Sequence, residues 1–261
     1  MKYIITLASL LLATPTFADF SSLEKLYLSK GGNPLAFKHL NCISNRLEVE
    51  KFENKKVKGQ LKGWCNEITN GENLIEISRP DTAVIVDYTQ TSDKRRFFLL
   101  NSTEGTVQSF YVSHGRFKAS RSNTTLKKNK NTIKEIKYYN NKINSNASSS
   151  GLMISGKRYQ GKWRGNEGDK WSLGIYGIEK DINDNVCERS VVMHGNYKVN
   201  EAGENEGVKI MSSGCFMMDY DYINKLVDRI EEGAIFFVFS ERESAFSADH
   251  YCTNLSQLRL K

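Results

Sequence analysis

The sequence predicts a mainly β domain with a few short helices. Three observations carry that expectation. Short β-rich runs separated by turns follow one another from Thr82 to Val112. A second stretch, Leu152 to Ile178, mixes Tyr159, Trp163, Trp171 and Tyr176 with frequent glycines. Helical periodicity, in contrast, is confined to short segments.

The elements follow in order. Residues 1–18 read as a signal peptide: Lys2 supplies a positive start, Tyr3 to Ala13 is almost wholly apolar, and Thr16 and Ala18 are the small residues of a cleavage site. The apolar run is shorter than the roughly 20 residues that span a bilayer, and no other stretch is apolar enough, so no membrane span is expected after cleavage. Residues 19–78 form an N-terminal helical and irregular extension. Within it 20–30 and 34–45 read as helices parted by Gly31-Gly32, the second started by Asn33-Pro34. Residues 46–78 are mixed in pattern, with Trp64 and Cys65 expected to anchor inward.

The main β-rich domain is placed at 79–240. It opens with a meander, Ala83 to Val86, Arg96 to Leu100 and Val107 to Val112, whose turns fall at Thr89 to Asp93 and Asn101 to Gly105. The segment 116–150 holds nine Lys or Arg against one Glu and reads as a solvated loop, with a role in guiding an anionic wall polymer as the sharper reading. Strands resume at 152–178 and again at Ser190 to Met193. After Asp219, Ile223, Leu226, Val227 and Ile230 fall on one helix face, Gly233 stops that helix, and Ala234 to Phe239 is a buried strand. Residues 241–261 form a polar tail.

The formal charge of +7 falls to +6 once Lys2 is removed. A basic exported chain suits anionic lipid or an acidic wall polymer, and export disfavours nucleic acid. Five cysteines make an odd number in an oxidising compartment, so one thiol is expected free. The expected arrangement leaves Cys215 free and pairs Cys42 with Cys65 and Cys187 with Cys252, one choice among several. Cys187, His194 and Cys215 lack the close-spaced ligand pairs of a structural zinc site, so neither metal nor organic cofactor is expected.

His194-Gly195 is followed, twenty-one positions after the histidine, by Cys215 at the end of Ser212-Ser213-Gly214-Cys215. A thiol is a few per cent ionised at neutral pH unless an imidazole or an oriented dipole favours the thiolate. Glycine beside it lets backbone N–H groups approach a developing oxyanion. Cys215 is the candidate nucleophile and His194 the candidate base. The backbone at Ser213, Gly214 and Cys215 is the candidate oxyanion hole. His114, in a second His-Gly, and Arg189, whose planar fork suits a carboxylate, are candidate substrate-binding residues, with a structural histidine and an ion pair to Glu188 or Asp184 as the plainer readings.

These landmarks resemble the L,D-transpeptidases with a YkuD-type catalytic domain, in the murein L,D-transpeptidase branch. The resemblance runs from about Arg79 to Phe239. It rests on Asp87-Tyr88 with Lys94-Arg95-Arg96, Ser113-His114-Gly115, Ser148 to Gly151, Gly177-Ile178-Glu179, Asn183-Asp184-Asn185, Glu188 to Gly195 and the cysteine turn. It implies a β-sandwich or open barrel and peptidoglycan stem peptides as substrate. It also implies a cysteine thioester intermediate that an acceptor amine resolves into a cross-link, or that water resolves in an L,D-carboxypeptidase. Ser213 stands where many members carry His, and Phe216-Met217-Met218 replaces the usual polar residues after the cysteine. A non-catalytic wall-binding module on the same fold is the rival reading. The expected protein is a periplasmic or wall-associated monomer.

Overall fold

The computed structural model describes residues 19–47, 51–53, 74–117, 131–161 and 170–253. The expected leader 1–18, Trp64, Cys65, Trp163 and much of the basic loop fall outside the described residues. Twelve strands run in chain order: β1 (Lys51–Glu53), β2 (Leu74–Glu76), β3 (Arg79–Asp87), β4 (Phe97–Asn101), β5 (Thr106–Phe110), β6 (Gly151–Tyr159), β7 (Ser172–Gly177), β8 (Val192–Asn196), β9 (Val199–Asn200), β10 (Gly207–Val208), β11 (Phe216–Asp219) and β12 (Ala234–Phe239). The helices are α1 (Glu24–Ser29), α2 (Pro34–Arg46), α3 (Ile223–Ile230), α4 (Glu241–Ser244) and α5 (His250–Thr253). The fold is mainly β with short helices, as the sequence predicts.

Eight strands form one mixed sheet in the order β11-β8-β7-β6-β12-β3-β4-β5. The pairs β11/β8 and β12/β3 are parallel and the rest antiparallel. The last strand thus inserts between the meander β3-β4-β5 and the hairpins β6-β7-β8, joining two halves that are separate in sequence. β3 and β12 read as continuous apolar runs because both their faces are covered. Val84, Val86, Phe236 and Val238 face one core, which Ile223, Leu226, Val227 and Ile230 of α3 complete. Ala83, Ile85, Ile235, Phe237 and Phe239 face the other, under Tyr27, Phe37, Leu40 and Ile43 of the first two helices.

The sheet has two edges, β5 and β11, and the chain after β5 closes the gap between them. Ser113 N–H donates to Met217 O at 3.0 Å, and Met217 N–H donates to Ser113 Oγ at 3.1 Å. Gly115 forms a parallel bridge to Ser212, with Ser212 N–H donating to His114 O at 2.7 Å and Arg116 N–H to Ser212 O at 2.9 Å. This seam makes the sheet a nearly closed barrel.

Helix α2 starts where predicted: Asn33 Oδ1 accepts Leu35 N–H at 2.9 Å, and Pro34 occupies the first turn, where its missing N–H costs nothing. The predicted tail instead folds back as α4 and α5, α4 opened by a capping box of Ser240 and Glu243. Tyr251 of α5 lies in the same core as α2. The expected pairings of Cys42 with Cys65 and Cys187 with Cys252 are corrected: Cys42 is bonded to Cys252. Spacing along the chain did not reveal this partner, because the tail returns over the sheet face that α2 covers. Cys187 is also disulfide-bonded, and Cys215 is the free cysteine.

Candidate active site

The closing seam carries the site. Ser212 is fixed by its bridge to Gly115, and the chain then turns through Ser213 and Gly214 into β11. Gly214 has φ +116°, a left-handed conformation, and a Cβ there would lie 2.8 Å from Ala147 O. Glycine is required at this turn. In β11, Phe216 and Met218 face the core while Met217, one residue out of phase, faces the opposite side, and Cys215 stands directly before the strand. The neighbouring parallel strand β8 sets Met217 beside His194. Two β strands therefore deliver the thiol and the imidazole to one wall. Both line a cavity of about 410 Å³ together with Arg116, Asn196, Tyr197, Lys198, Ser213 and Met217.

Cys215 is 8 % exposed and its thiol points to Ser190 O at 3.6 Å. Burial pushes its pKa up, while the Val192 N–H and the Arg189 guanidinium pull it down. His194 is 5 % exposed, and burial lowers its pKa to about 4, so the ring is neutral at pH 7. Its Nδ1 lies 2.9 Å from Gly195 O. A carbonyl only accepts, so Nδ1 holds the ring proton and the basic lone pair lies on Nε2. That tautomer is the one a proton acceptor needs.

The remaining predicted residues divide. Ser213 lines the cavity, and its Oγ accepts from Arg116 Nη2 at 3.1 Å. Gly214 N–H is already used, donating to Ser212 Oγ at 3.0 Å. His114 is not on the cavity wall. It is fully buried, with Nε2 2.8 Å from Thr132 O and Nδ1 2.8 Å from Arg96 Nη2. Nε2 therefore donates to the carbonyl, Nδ1 accepts from the guanidinium, and burial beside that cation holds the pKa to about 4. Arg189 does not line the cavity either. Its Nη1 donates to Ser149 Oγ at 2.5 Å and its Nη2 to Ala147 O. Asp184, one expected ion-pair partner, instead accepts from Asn141 Nδ2 at 2.7 Å.

Sequence reasoning missed the apparatus behind the seam. Arg96, fully buried, donates to Val112 O through Nη2 at 3.0 Å and to Gln90 O at 2.8 Å. Tyr88 Oη donates to Ser113 O at 2.9 Å, and its ring stacks on Phe216. These two landmarks of the meander thus hold residues 112–114, which hold the cysteine turn. Arg116 was also missed, although it follows the second His-Gly directly. Asn183, a landmark of the resemblance with no role assigned to it, is a buried latch whose Nδ2 donates to Ser150 O and Leu152 O at 2.9 and 3.0 Å. Among the described residues, no group of three or more His, Cys, Asp or Glu is placed to hold a metal ion. Nor is any helix among them long and apolar enough to cross a membrane.

A nearly closed β sheet thus carries at its seam one cavity lined by a free thiol and a neutral imidazole. Residues 49–239 match the model of the L,D-transpeptidase catalytic domain family, and the chain belongs to that family. No curated protein matches the chain. Among solved structures it is similar to the helical cell shape determining protein Pgp2 from Campylobacter jejuni, at 11 % identity and TM-score 0.32, over 60 % of this chain and 48 % of that one. A mutant of the same protein aligns at 11 % identity and TM-score 0.33, over 60 % and 47 %. The chain thus spans about half the length of these two. The Ldtfm–avibactam carbamoyl enzyme aligns at 11 % identity and TM-score 0.32, over 79 % of this chain and 80 % of that one.

Proposed function

We propose that the protein is an extracytoplasmic, peptidoglycan-modifying L,D-transpeptidase that works through a Cys215 thioester. The observation that carries this reading is the cavity shared by a reduced Cys215 and a His194 whose lone pair lies on Nε2. His194 Nε2 takes the thiol proton as sulfur attacks the carbonyl carbon of the L-configured centre that precedes D-Ala in a donor stem. The carbonyl oxygen becomes an oxyanion. Cys215 and Ser213 N–H are the donors offered to it, since Gly214 N–H is committed to Ser212 Oγ. The C–N bond then breaks, the leaving D-Ala amine takes the proton from His194, and a thioester remains. An acceptor stem amine attacks that thioester and gives its proton to His194. The thiolate leaves and is reprotonated, and the two stems are joined.

Substrate charge supports the same reading. Arg116 and Lys198 line the cavity and, among the described residues, no carboxylate does, which suits an anionic stem peptide. The exported location rests on the family and on the leader read from residues 1–18. The test is mass spectrometry of defined muropeptides incubated with wild type and with Cys215→Ala. Wild type should give cross-linked dimers and a thioester adduct, and Cys215→Ala neither. Shortened monomers alone make the protein an L,D-carboxypeptidase. No change with wild type sinks the enzyme reading and leaves the wall-binding module.

A further inference from the structure

Among the described residues, Arg189 is a cation bonded to neutral acceptors alone. Its guanidinium is largely buried, and among the described residues no carboxylate lies within ion-pair distance of it. Its hydrogen bonds go to neutral acceptors, Ser149 Oγ and Ala147 O. A buried, unpaired guanidinium is costly, and such a group is retained where it does something else. The geometry shows where its charge is directed. A Cβ on Gly214 would lie 3.2 Å from Arg189 Nη2, so the guanidinium packs directly behind the turn that carries the thiol. The backbone that follows Arg189 also holds the sulfur, since Cys215 Sγ–H meets Ser190 O. Ser190 is itself pinned in a left-handed conformation, with φ +55°.

We propose that Arg189 is a positioning residue that presents a fixed positive charge to the buried side of Cys215 and stabilises its thiolate. This rests on Cys215 being the nucleophile proposed above. The other groups facing the sulfur do not supply such a charge from that side. His194 on β8 is neutral at pH 7, and Tyr88 after β3 is kept protonated by burial. Arg116 and Lys198 line the cavity itself, which Arg189 does not. Arg189 is held by Ala147 O, the same carbonyl that abuts Gly214 from behind. The role also separates the two arginines: one faces the substrate side, the other faces the sulfur from behind.

The experiment is the pH dependence of Cys215 alkylation by iodoacetamide, on the full chain, for wild type, Arg189→Gln and Arg189→Lys. Glutamine keeps a donor for Ala147 O and removes the charge. Lysine keeps the charge and loses the planar fork. Thiolate is the reactive form, so the rate tracks its fraction. The Gln midpoint should move up by about one pH unit, which is a tenfold loss of thiolate at pH 7. The Lys midpoint should stay within a few tenths of wild type. Should Arg189→Gln not fold, Arg189→Met serves as the neutral variant. A folded neutral variant with the wild-type profile overturns the proposal, and so does a Lys variant displaced as far as Gln. Alkylation needs no peptidoglycan. A wild-type chain that converts no stem peptide, yet shows the Gln displacement, refutes the function and leaves the role of Arg189 standing.

Discussion

Ser213 and Arg116 meet on the wall of the cavity that holds the thiol. With a hydroxyl where many members carry an imidazole, the cavity rim has room and an acceptor for the Arg116 guanidinium, 3.1 Å away. Arg116 is anchored by its own backbone bond to Ser212 O at 2.9 Å, so its base does not wander from the thiol turn. On the function proposed above, an arginine so placed would bind a substrate carboxylate in both ground and transition states. Arg116→Gln should therefore raise KM for a free stem peptide about tenfold and leave kcat nearly unchanged, the signature of lost uniform binding. Repeating the kinetics with a peptide whose carboxylates are amidated should show no difference between wild type and variant. An unchanged KM for the free peptide would remove Arg116 from recognition. At this scale the sequence was informative where chemistry is local. Cys215, His194 and the glycine of the turn stand in a short ordered motif, and the structure brings the first two to one cavity. Arg189 and His114 had the right residue type for a ligand-binding role but are placed behind the wall. No spacing rule distinguishes a side chain that faces a cavity from one that supports it, because that depends on which loop packs above it. For Arg189 it is 147–149, forty or more residues away.

Among elements, the segment 112–116 controls the site although it belongs to no named strand. It joins the β5 edge to β11 and is held from behind by Arg96 and Tyr88. Gly115 is the tight point: a Cβ there would meet Ser148 N at 2.6 Å and Ala147 carbonyl carbon at 2.7 Å, both backbone atoms that cannot rotate away. Gly115→Ala should cost about 2 kcal/mol in chemical denaturation, the usual scale of overpacking. It should also lower turnover at least tenfold, because the bridge to Ser212 positions the thiol turn. Wild-type stability together with wild-type turnover would show that the seam has no hold on the site. The strands themselves were legible. The apolar run Ala234 to Phe239 is the strand β12, and the meander runs appear as β3, β4 and β5 within a few residues. What was hidden is pairing. The insertion of β12 between β3 and β6, the seam, and the bond from Cys42 to Cys252 each join segments far apart in sequence. Local periodicity sets which face of an element is apolar, not which element meets it.

The whole molecule stores a pH response in its buried titratable groups. His39, His114 and His194 each have pKa values lowered to about 4, chiefly by burial, from an ordinary 6.5. Between pH 6.5 and 4 the unfolded chain binds three protons that the native chain refuses, so acid favours unfolding. Glu179 and Glu201 act the other way: burial raises each from an ordinary 4.5 to about 7. Between pH 7 and 4.5 the native chain holds two protons that the unfolded chain has released, so acid favours folding through them. Near pH 5.5 the histidines exceed the glutamates by about one proton, so the joint contribution of these five groups to stability falls there by about 1.4 kcal/mol per pH unit as pH goes down, and flattens toward pH 6.5, where the two sets cancel. Glu179 is the decisive probe. It lies in the core between Leu152 N–H at 2.5 Å and Tyr251 Oη at 3.4 Å, so it ties β6 to α5, on the sheet face opposite α3. Glu179→Gln keeps the shape and deletes one opposing proton, so the slope should roughly double whatever the variant's stability at pH 7. Denaturant melts at pH 4.5, 5.5 and 6.5 read this directly. A variant whose slope equals that of wild type would mean that Glu179 is already ionised in the native core, with its charge balanced by Arg242 at 3.5 Å.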